Sequence, residues 1–302
     1  LVGIGFRRSL SLGEVAMLLI VGGDSDPNTQ RIVDQVHLRE VPYHFHDTDQ
    51  ACATHIAWGF ESPRITLGDQ VLCPAAIFLR YNVFAGQPEE NWAAFDVVQS
   101  FALAWPEIRM LNRRTSTDLN HKSRNLRLAI EAGFQIPETL VMGNLTPLCT
   151  LPEPAAHIIK PLGGGAHTQS VAQVAQDVDQ LAKLGPQFLQ NRLGGENLRV
   201  FSIGGQLFCF HLASRALDYR EDDGVEVRPL PVPQALVWPT RALVDRIGFD
   251  YCALDFRCRA GFDDPVFLEI NSFPMFVRFD DAGSNALVDA MIDFLCGTKV
   301  SA

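Results

Sequence analysis

The chain has 302 residues, of which 47% are hydrophobic and 20% charged. That balance excludes a disordered or fibrous protein, and the length suits about two domains of roughly 150 residues each. The net charge of −10 lacks the basic footprint of a general nucleic-acid binder. No apolar run approaches the roughly 18 residues that a membrane span requires. The seven cysteines, Cys52, Cys73, Cys149, Cys209, Cys252, Cys258 and Cys296, are scattered and form no CxxC pair. They predict neither a disulfide framework nor a zinc ribbon, and they suit a reducing cytosol.

Residues 1–16 carry no helix-cap signal and no sustained apolar stretch. They read as an extension ahead of a domain that starts at Met17. From there strand and helix patterns alternate. MLLIVGG reads as a buried strand, and Asp26 or Asn28 caps a helix that runs through Leu38. VPYHFHD is a second strand. Residues 61–66, 70–73 and 76–80 read as short strands, 92–103 as a helix and 110–111 as a strand. This is an α/β domain over 17–115. A central segment, 116–190, opens with a helix from about Leu119 to Ala132, closed by Gly133. Strands follow at 138–142, 156–160 and 187–190. The last segment, 191–302, is mixed and mainly antiparallel. Strands 198–203 and 206–213 flank Gly204-Gly205, a two-residue hairpin turn. Residues 218–229 are charged with few apolar anchors and read as a mobile loop. A second hairpin spans 251–258 and 265–271, and 286–296 is a closing helix. The expected architecture is α/β followed by α+β.

The second hairpin carries the strongest chemical signal. Antiparallel pairing about Phe262 sets Asp255 directly opposite Glu269, roughly 5 Å away at Cβ. Asn271 lies two residues on, on the same face. Two like charges facing each other on otherwise apolar strands repel, and a divalent cation would relieve them. Asp, Glu and Asn offer hard oxygen donors, which suit magnesium or manganese rather than zinc.

Lys160 ends an apolar strand and leads into Pro161-Leu162-Gly163-Gly164-Gly165. A lysine delivered into a glycine loop suits phosphate, because glycine lets backbone N–H groups approach its oxygens, and a plain turn after a strand is the alternative reading of the same run. Lys122 stands in the first turn of the central helix. A competing metal site, His44 and His46 on one strand face with Asp47, lacks a further ligand at a recognised spacing. No cysteine lies in a nucleophile motif, and no GxSxG occurs.

Together these residues resemble the ATP-grasp superfamily. NHKSRNLRLAIEAGFQIP (120–137) resembles its first nucleotide-lysine segment, and HIIKPLGGG its lid lysine and phosphate loop. FLQNRL (188–193) is similar to the hinge strand that holds adenine. ENLRV (196–200) resembles the segment that follows it, and LDF with FLEIN the metal pair. The resemblance covers about 17–298 and implies an N-terminal α/β domain, a small lid and a C-terminal antiparallel-sheet domain. For ATP it implies Lys122, Lys160, Gly163, Gly164, Gln190, Asn191, Arg192 and Asn197. For Mg2+ or Mn2+ it implies Asp255, Glu269 and Asn271.

Within the superfamily, FLRY (78–81), LDYR (217–220), PLPVP (229–233) and FLEIN are most similar to the ribosomal-protein glutamate ligases and the microviridin-type macrocyclase ligases. That likeness implies Arg220 or Arg215 at the γ-phosphate, and Arg80 and Arg199 on a substrate carboxylate. It implies a carboxylate substrate, an amine or hydroxyl acceptor and a peptide context, in a cytoplasmic enzyme without a nucleic-acid or membrane partner. The oligomeric state stays open, a homo-oligomer included. The chain departs from the pattern at His121, Asn191, the run 165–167 and the run 271–276. A phosphotransferase and a non-catalytic nucleotide sensor remain as alternatives to a ligase.

Overall fold

The computed structural model describes residues 17–50, 55–84, 89–116, 120–163, 167–214, 217, 224–259 and 261–298. Contacts divide the chain into two compact units. One ends at Leu111 and takes back the chain from Ile292, and the other is Asn112–Met291. Among the described residues, no helix is long and apolar enough to cross a membrane. The expected extension over 1–16 lies outside the described residues.

The first unit starts with β1 (Leu18–Gly22), buried throughout. α1 (Pro27–Leu38) follows, with proline at its first turn. Asp26 is its N-cap, and the carboxylate Oδ1 accepts the N–H of Asn28 at 2.8 Å. β2 (Tyr43–Asp47), β3 (Ile56–Trp58), β4 (Ile65–Leu67), β5 (Gln70–Leu72) and β6 (Ala76–Leu79) come next. α2 (Glu89–Ala104) and β7 (Arg109–Met110) complete the unit's run. β2, β1, β6 and β7 pair in that order as a parallel sheet. β3, β4 and β5 form a small antiparallel sheet. Leu19, Val21 and Ile77 pack with Ile65 of the small sheet and with Val98 and Phe101 of α2. The expected strand over 61–66 begins only at Ile65, because Ser62-Pro63 makes a bend where a ladder donor is needed.

The second unit carries α3 (Lys122–Glu131), β8 (Thr139–Met142), β9 (His157–Pro161), β10 (Gln169–Ser170), α4 (Val171–Val174), α5 (Val178–Lys183) and β11 (Gln187–Asn191). β10, β9, β11 and β8 form a four-stranded antiparallel sheet. Ile159 and Leu189 of that sheet bury against Val171, Val174 and Leu181 of α4 and α5. β12 (Glu196–Ile203), β13 (Gln206–Ala213), β14 (Glu226–Leu230), α6 (Gln234–Ile247), β15 (Tyr251–Cys258), β16 (Pro265–Ser272) and α7 (Val277–Ala282) follow. The strands form a five-stranded antiparallel sheet in the order β14-β13-β12-β15-β16. Gly204 and Gly205 turn β12 into β13 with φ of 54° and 87°, the left-handed pair that a tight hairpin demands. α3 and α6 cover one face, where Leu126, Ala129 and Leu243 meet Leu198, Val200, Leu254 and Phe267. α8 (Ala286–Cys296) closes the chain.

The charged stretch expected as a loop behaves differently. Glu226–Leu230 is an edge strand paired with β13, while 218–223 lie outside the described residues. An edge strand has one ladder to satisfy and tolerates Pro229 and a surface Arg228–Glu226 pair.

Candidate functional site

β15 and β16 pair with Asp255 opposite Glu269, as the hairpin arithmetic predicts. The register holds from Cys252↔Ser272 to Asp255↔Glu269 and then slips by one residue before Phe256. The slip is a bulge, which bends the strand beside the carboxylates. Asn271 lies on their face, and its Nδ2 donates to Asp255 Oδ2 and to Glu269 Oε1, each at 3.2 Å.

The expected like-charge repulsion is already neutralised by protein groups. Arg199 on β12, the cross-strand neighbour of Asp255, donates from Nε to Oδ1 and from Nη2 to Oδ2, both at 2.7 Å. This fork-to-fork pair is buried, with relative exposures of 8% for Arg199 and 9% for Asp255. The guanidinium carbon stands 5.9 Å from the Phe201 ring centre and 5.2 Å from that of Phe279. Arg199 is therefore engaged with Asp255 in this structure.

Glu269 has two further partners. Lys122 and Lys160 each donate Nζ to Oε2 at 3.2 Å. Lys122 is the first residue of α3, where a cation opposes the helix dipole, and the Glu269 carboxylate offsets that cost. Lys160 comes from β9 of the four-stranded sheet. Burial alone would raise the Glu269 carboxyl. Lys160 and then Lys122, with the Asn271 amide, outweigh it and hold the group well below the usual carboxylate range.

Sequence reasoning missed the residues that place Lys122. Asn120 Nδ2 donates to the backbone oxygen of Ile270 at 2.9 Å, and Asn125 Nδ2 donates to Asn120 Oδ1 at 2.6 Å. At the far end of α3, the N–H of Phe267 donates to the oxygen of Gln135 at 2.9 Å. α3 is thus fastened at both ends along the outer edge of β16. A buried polar residue such as Asn125 on the apolar face of a helix is the sequence signal for such a tether.

Gln190, Asn191, Asn197 and Arg80 make bonds within the protein. Gln190 is buried and donates to Thr139 Oγ1, and Asn191 donates to Glu138 Oε2. The Asn197 amide donates to the backbone oxygens of Leu212 and Ser214, which ties β12 to the end of β13. Arg192 lines a polar cleft of about 530 Å³ with Gly194, Glu196, Ser214 and Arg257. In the first unit, Arg80 is buried and donates Nε to Asp26 Oδ2 at 2.6 Å. That leaves Asp26 bonded through both oxygens, one to the helix start and one to Arg80. Gly163 follows β9, while Gly164, Arg215 and Arg220 lie outside the described residues.

Among the described residues, no three His, Cys, Asp or Glu side chains converge as a metal site. The His44–His46–Asp47 alternative is accordingly not assembled. Burial, then the charge of His46, makes His44 a weaker base. The set Asp255, Glu269 and Asn271 still fits a hard divalent cation. Its donors are side-chain oxygens at neighbouring positions on paired strands, once the Asn271 amide turns its oxygen inward.

This architecture, a lysine-bearing four-stranded sheet and a five-stranded sheet carrying Asp…Glu-x-Asn, is the ATP-grasp fold. Among solved structures, the macrocyclase MdnC from Microcystis aeruginosa, bound with precursor peptide MdnA, is 21% identical with a TM-score of 0.73. That alignment covers 93% of this chain and 100% of MdnC. The ATP-grasp ligase PsnB, complexed with a variant of its minimal precursor, Mg and ADP, is 22% identical with a TM-score of 0.73 over 93% and 99% of the two chains. D-alanyl-alanine synthetase A from Vibrio cholerae is 11% identical with a TM-score of 0.62 over 94% and 98%. No family model matches the chain, and no curated protein matches it.

Proposed function

We propose that the chain is an ATP-dependent ligase that activates a carboxylate as an acyl phosphate and joins it to an amine or hydroxyl of a peptide substrate. The observation that carries this reading is the meeting of Lys122 and Lys160 on Glu269, beside Asp255 and Asn271. Two lysines from separate segments that meet a set of hard oxygen donors support a site for a polyphosphate and its cation. The peptide context is supported by the likeness to MdnC and PsnB, whose structures hold precursor peptides.

In this mechanism Lys122 and Lys160 bind phosphate oxygens and draw charge from the terminal phosphoryl group as it transfers. Asp255, Glu269 and Asn271 would hold magnesium, which when bound neutralises charge on the bridging phosphates. Arg199 orients Asp255 through its two hydrogen bonds. A substrate carboxylate oxygen attacks the γ-phosphorus, ADP leaves, and an amine or hydroxyl then displaces phosphate from the acyl carbon.

A screen of Asp- and Glu-rich peptides with ATP, magnesium and hydroxylamine tests the proposal. The expected products are a hydroxamate, ADP and phosphate, with one heavy oxygen passing from a labelled carboxylate into phosphate. AMP and pyrophosphate, or unlabelled phosphate from a true substrate, would refute it. A stable phosphorylated product without acceptor dependence would indicate a phosphotransferase.

A further inference from the structure

We infer that Glu269 has a second role beside holding a cation: it is the exchange partner of both phosphate-binding lysines, so that nucleotide and divalent cation bind by trading contacts with its carboxylate. This rests on the ligase reading above and concerns how the site fills.

The geometry sets up the trade. Lys122 and Lys160 stand 147 and 109 residues from Glu269 in sequence, yet both donate to the same oxygen, Oε2, at 3.2 Å. A carboxylate oxygen offers two lone pairs. The two ammonium groups occupy both, and Asn271 takes one on Oε1. The three side chains are only 18%, 15% and 21% exposed, so water does little to screen the pairs.

A lysine ammonium is a compact point charge. As Lys122 and Lys160 turn their charge toward a polyphosphate, their hold on Oε2 weakens. Glu269 is then less compensated beside Asp255 and the incoming phosphates, an arrangement of like charges that a cation at Asp255, Glu269 and Asn271 would relieve. Conversely, a cation that approaches Glu269 first meets two ammonium groups on the oxygen it needs. Each ligand therefore removes the obstacle to the other, and the coupling is reciprocal. Asp255 is different. Its partner Arg199 is buried and bidentate, so Asp255 has a fixed partner while Glu269 has exchangeable ones.

The test is a binding titration rather than an activity. Wild type and Glu269→Gln are titrated with ADP in EDTA and again with excess magnesium, and melting curves verify folding. Freed from Oε2, the lysines of the glutamine variant should bind ADP in EDTA about tenfold tighter than wild type, a change of about 1.4 kcal/mol. The variant should also lose most of the gain that magnesium gives wild type. Equal or weaker metal-free binding by the folded variant overturns the inference. An independent arm uses Mn2+ alone, followed by electron paramagnetic resonance. Lys160→Met should bind Mn2+ more tightly than wild type, because one competitor for Oε2 is gone. Unchanged or weaker Mn2+ binding overturns the inference, and this arm decides alone if Glu269→Gln does not fold. Wild type that binds no ADP even with magnesium instead overturns the ligase reading and takes this inference with it.

Discussion

Replacing Asp255 by asparagine isolates the buried ion pair at the centre of the site. Asparagine keeps the side chain's size and one acceptor but removes the charge. Arg199 then remains buried between strands, beside the rings of Phe201 and Phe279, without its bidentate carboxylate. Removing one partner of a buried pair costs about 3–5 kcal/mol, because the other charge is left uncompensated. The retained acceptor places this variant near about 3 kcal/mol. For a unit the size of Asn112–Met291, that corresponds to a fall in melting temperature of about 6–12 °C. Relief of repulsion between Asp255 and Glu269 would act in the opposite direction, but Lys122, Lys160 and Asn271 already compensate Glu269. Chemical denaturation of the single variant and of Arg199→Met/Asp255→Asn gives the answer. The double variant removes both charges and should regain most of the loss. A single variant within about 1 kcal/mol of wild type, or one more stable than it, would refute the reasoning.

The remaining predictions concern acid stability, nucleotide linkage and thiol reactivity. Because the folded-state Glu269 carboxyl is held low, its stabilisation is full above its ordinary value of 4.5 and is lost as pH falls below it. The stability gap between wild type and Glu269→Gln should therefore shrink on acidification below pH 4.5, and a gap that is constant with pH in urea titrations would contradict this. ATP with magnesium at a hundredfold excess over Kd should stabilise wild type by about 2.7 kcal/mol, read as a rise in Tm. Lys160→Ala should lose most of that rise, and an equal shift in both proteins would separate Lys160 from phosphate. Burial pushes the Cys209 thiol up to about 12 and that of Cys258 up to about 11, and raises Cys252 as well. Iodoacetamide at pH 8 should thus modify exposed Cys149 ahead of those three, which are spared until the protein is denatured, as peptide mass mapping would report.

The sequence made some of this legible because the decisive patterns were local. The hairpin loop near Phe262 set the Asp255–Glu269 register, the Gly204-Gly205 turn set that of β12 and β13, and Asp26 marked the start of α1. α6 was not legible: it carries Pro239 within it, and its apolar residues follow a proline-rich run. β14 was hidden because an edge strand can be charged and still pair. The partners of Arg199, Arg80 and Asn197 were not legible either. Each is chosen by a residue that only tertiary pairing brings near: Asp255, Asp26 and the main chain at Leu212 and Ser214. Residue type suggested a carboxylate for each arginine, and the fold brings one of the protein's own to each.

The fastening of α3 along β16 has a consequence for how this protein behaves at high concentration. β16 is the last strand of its sheet, and PVFLEINS is rich in residues that favour strand pairing. Left open, its outward N–H and C=O groups would template a second chain. Asn120 on one side of α3 and Gln135 on the other occupy groups of that edge, at Ile270 and Phe267. The segment that delivers Lys122 is therefore also a guard against self-association. Local melting of α3 would uncover an adhesive strand, so the onset of aggregation on heating should follow the loss of α3 rather than global unfolding.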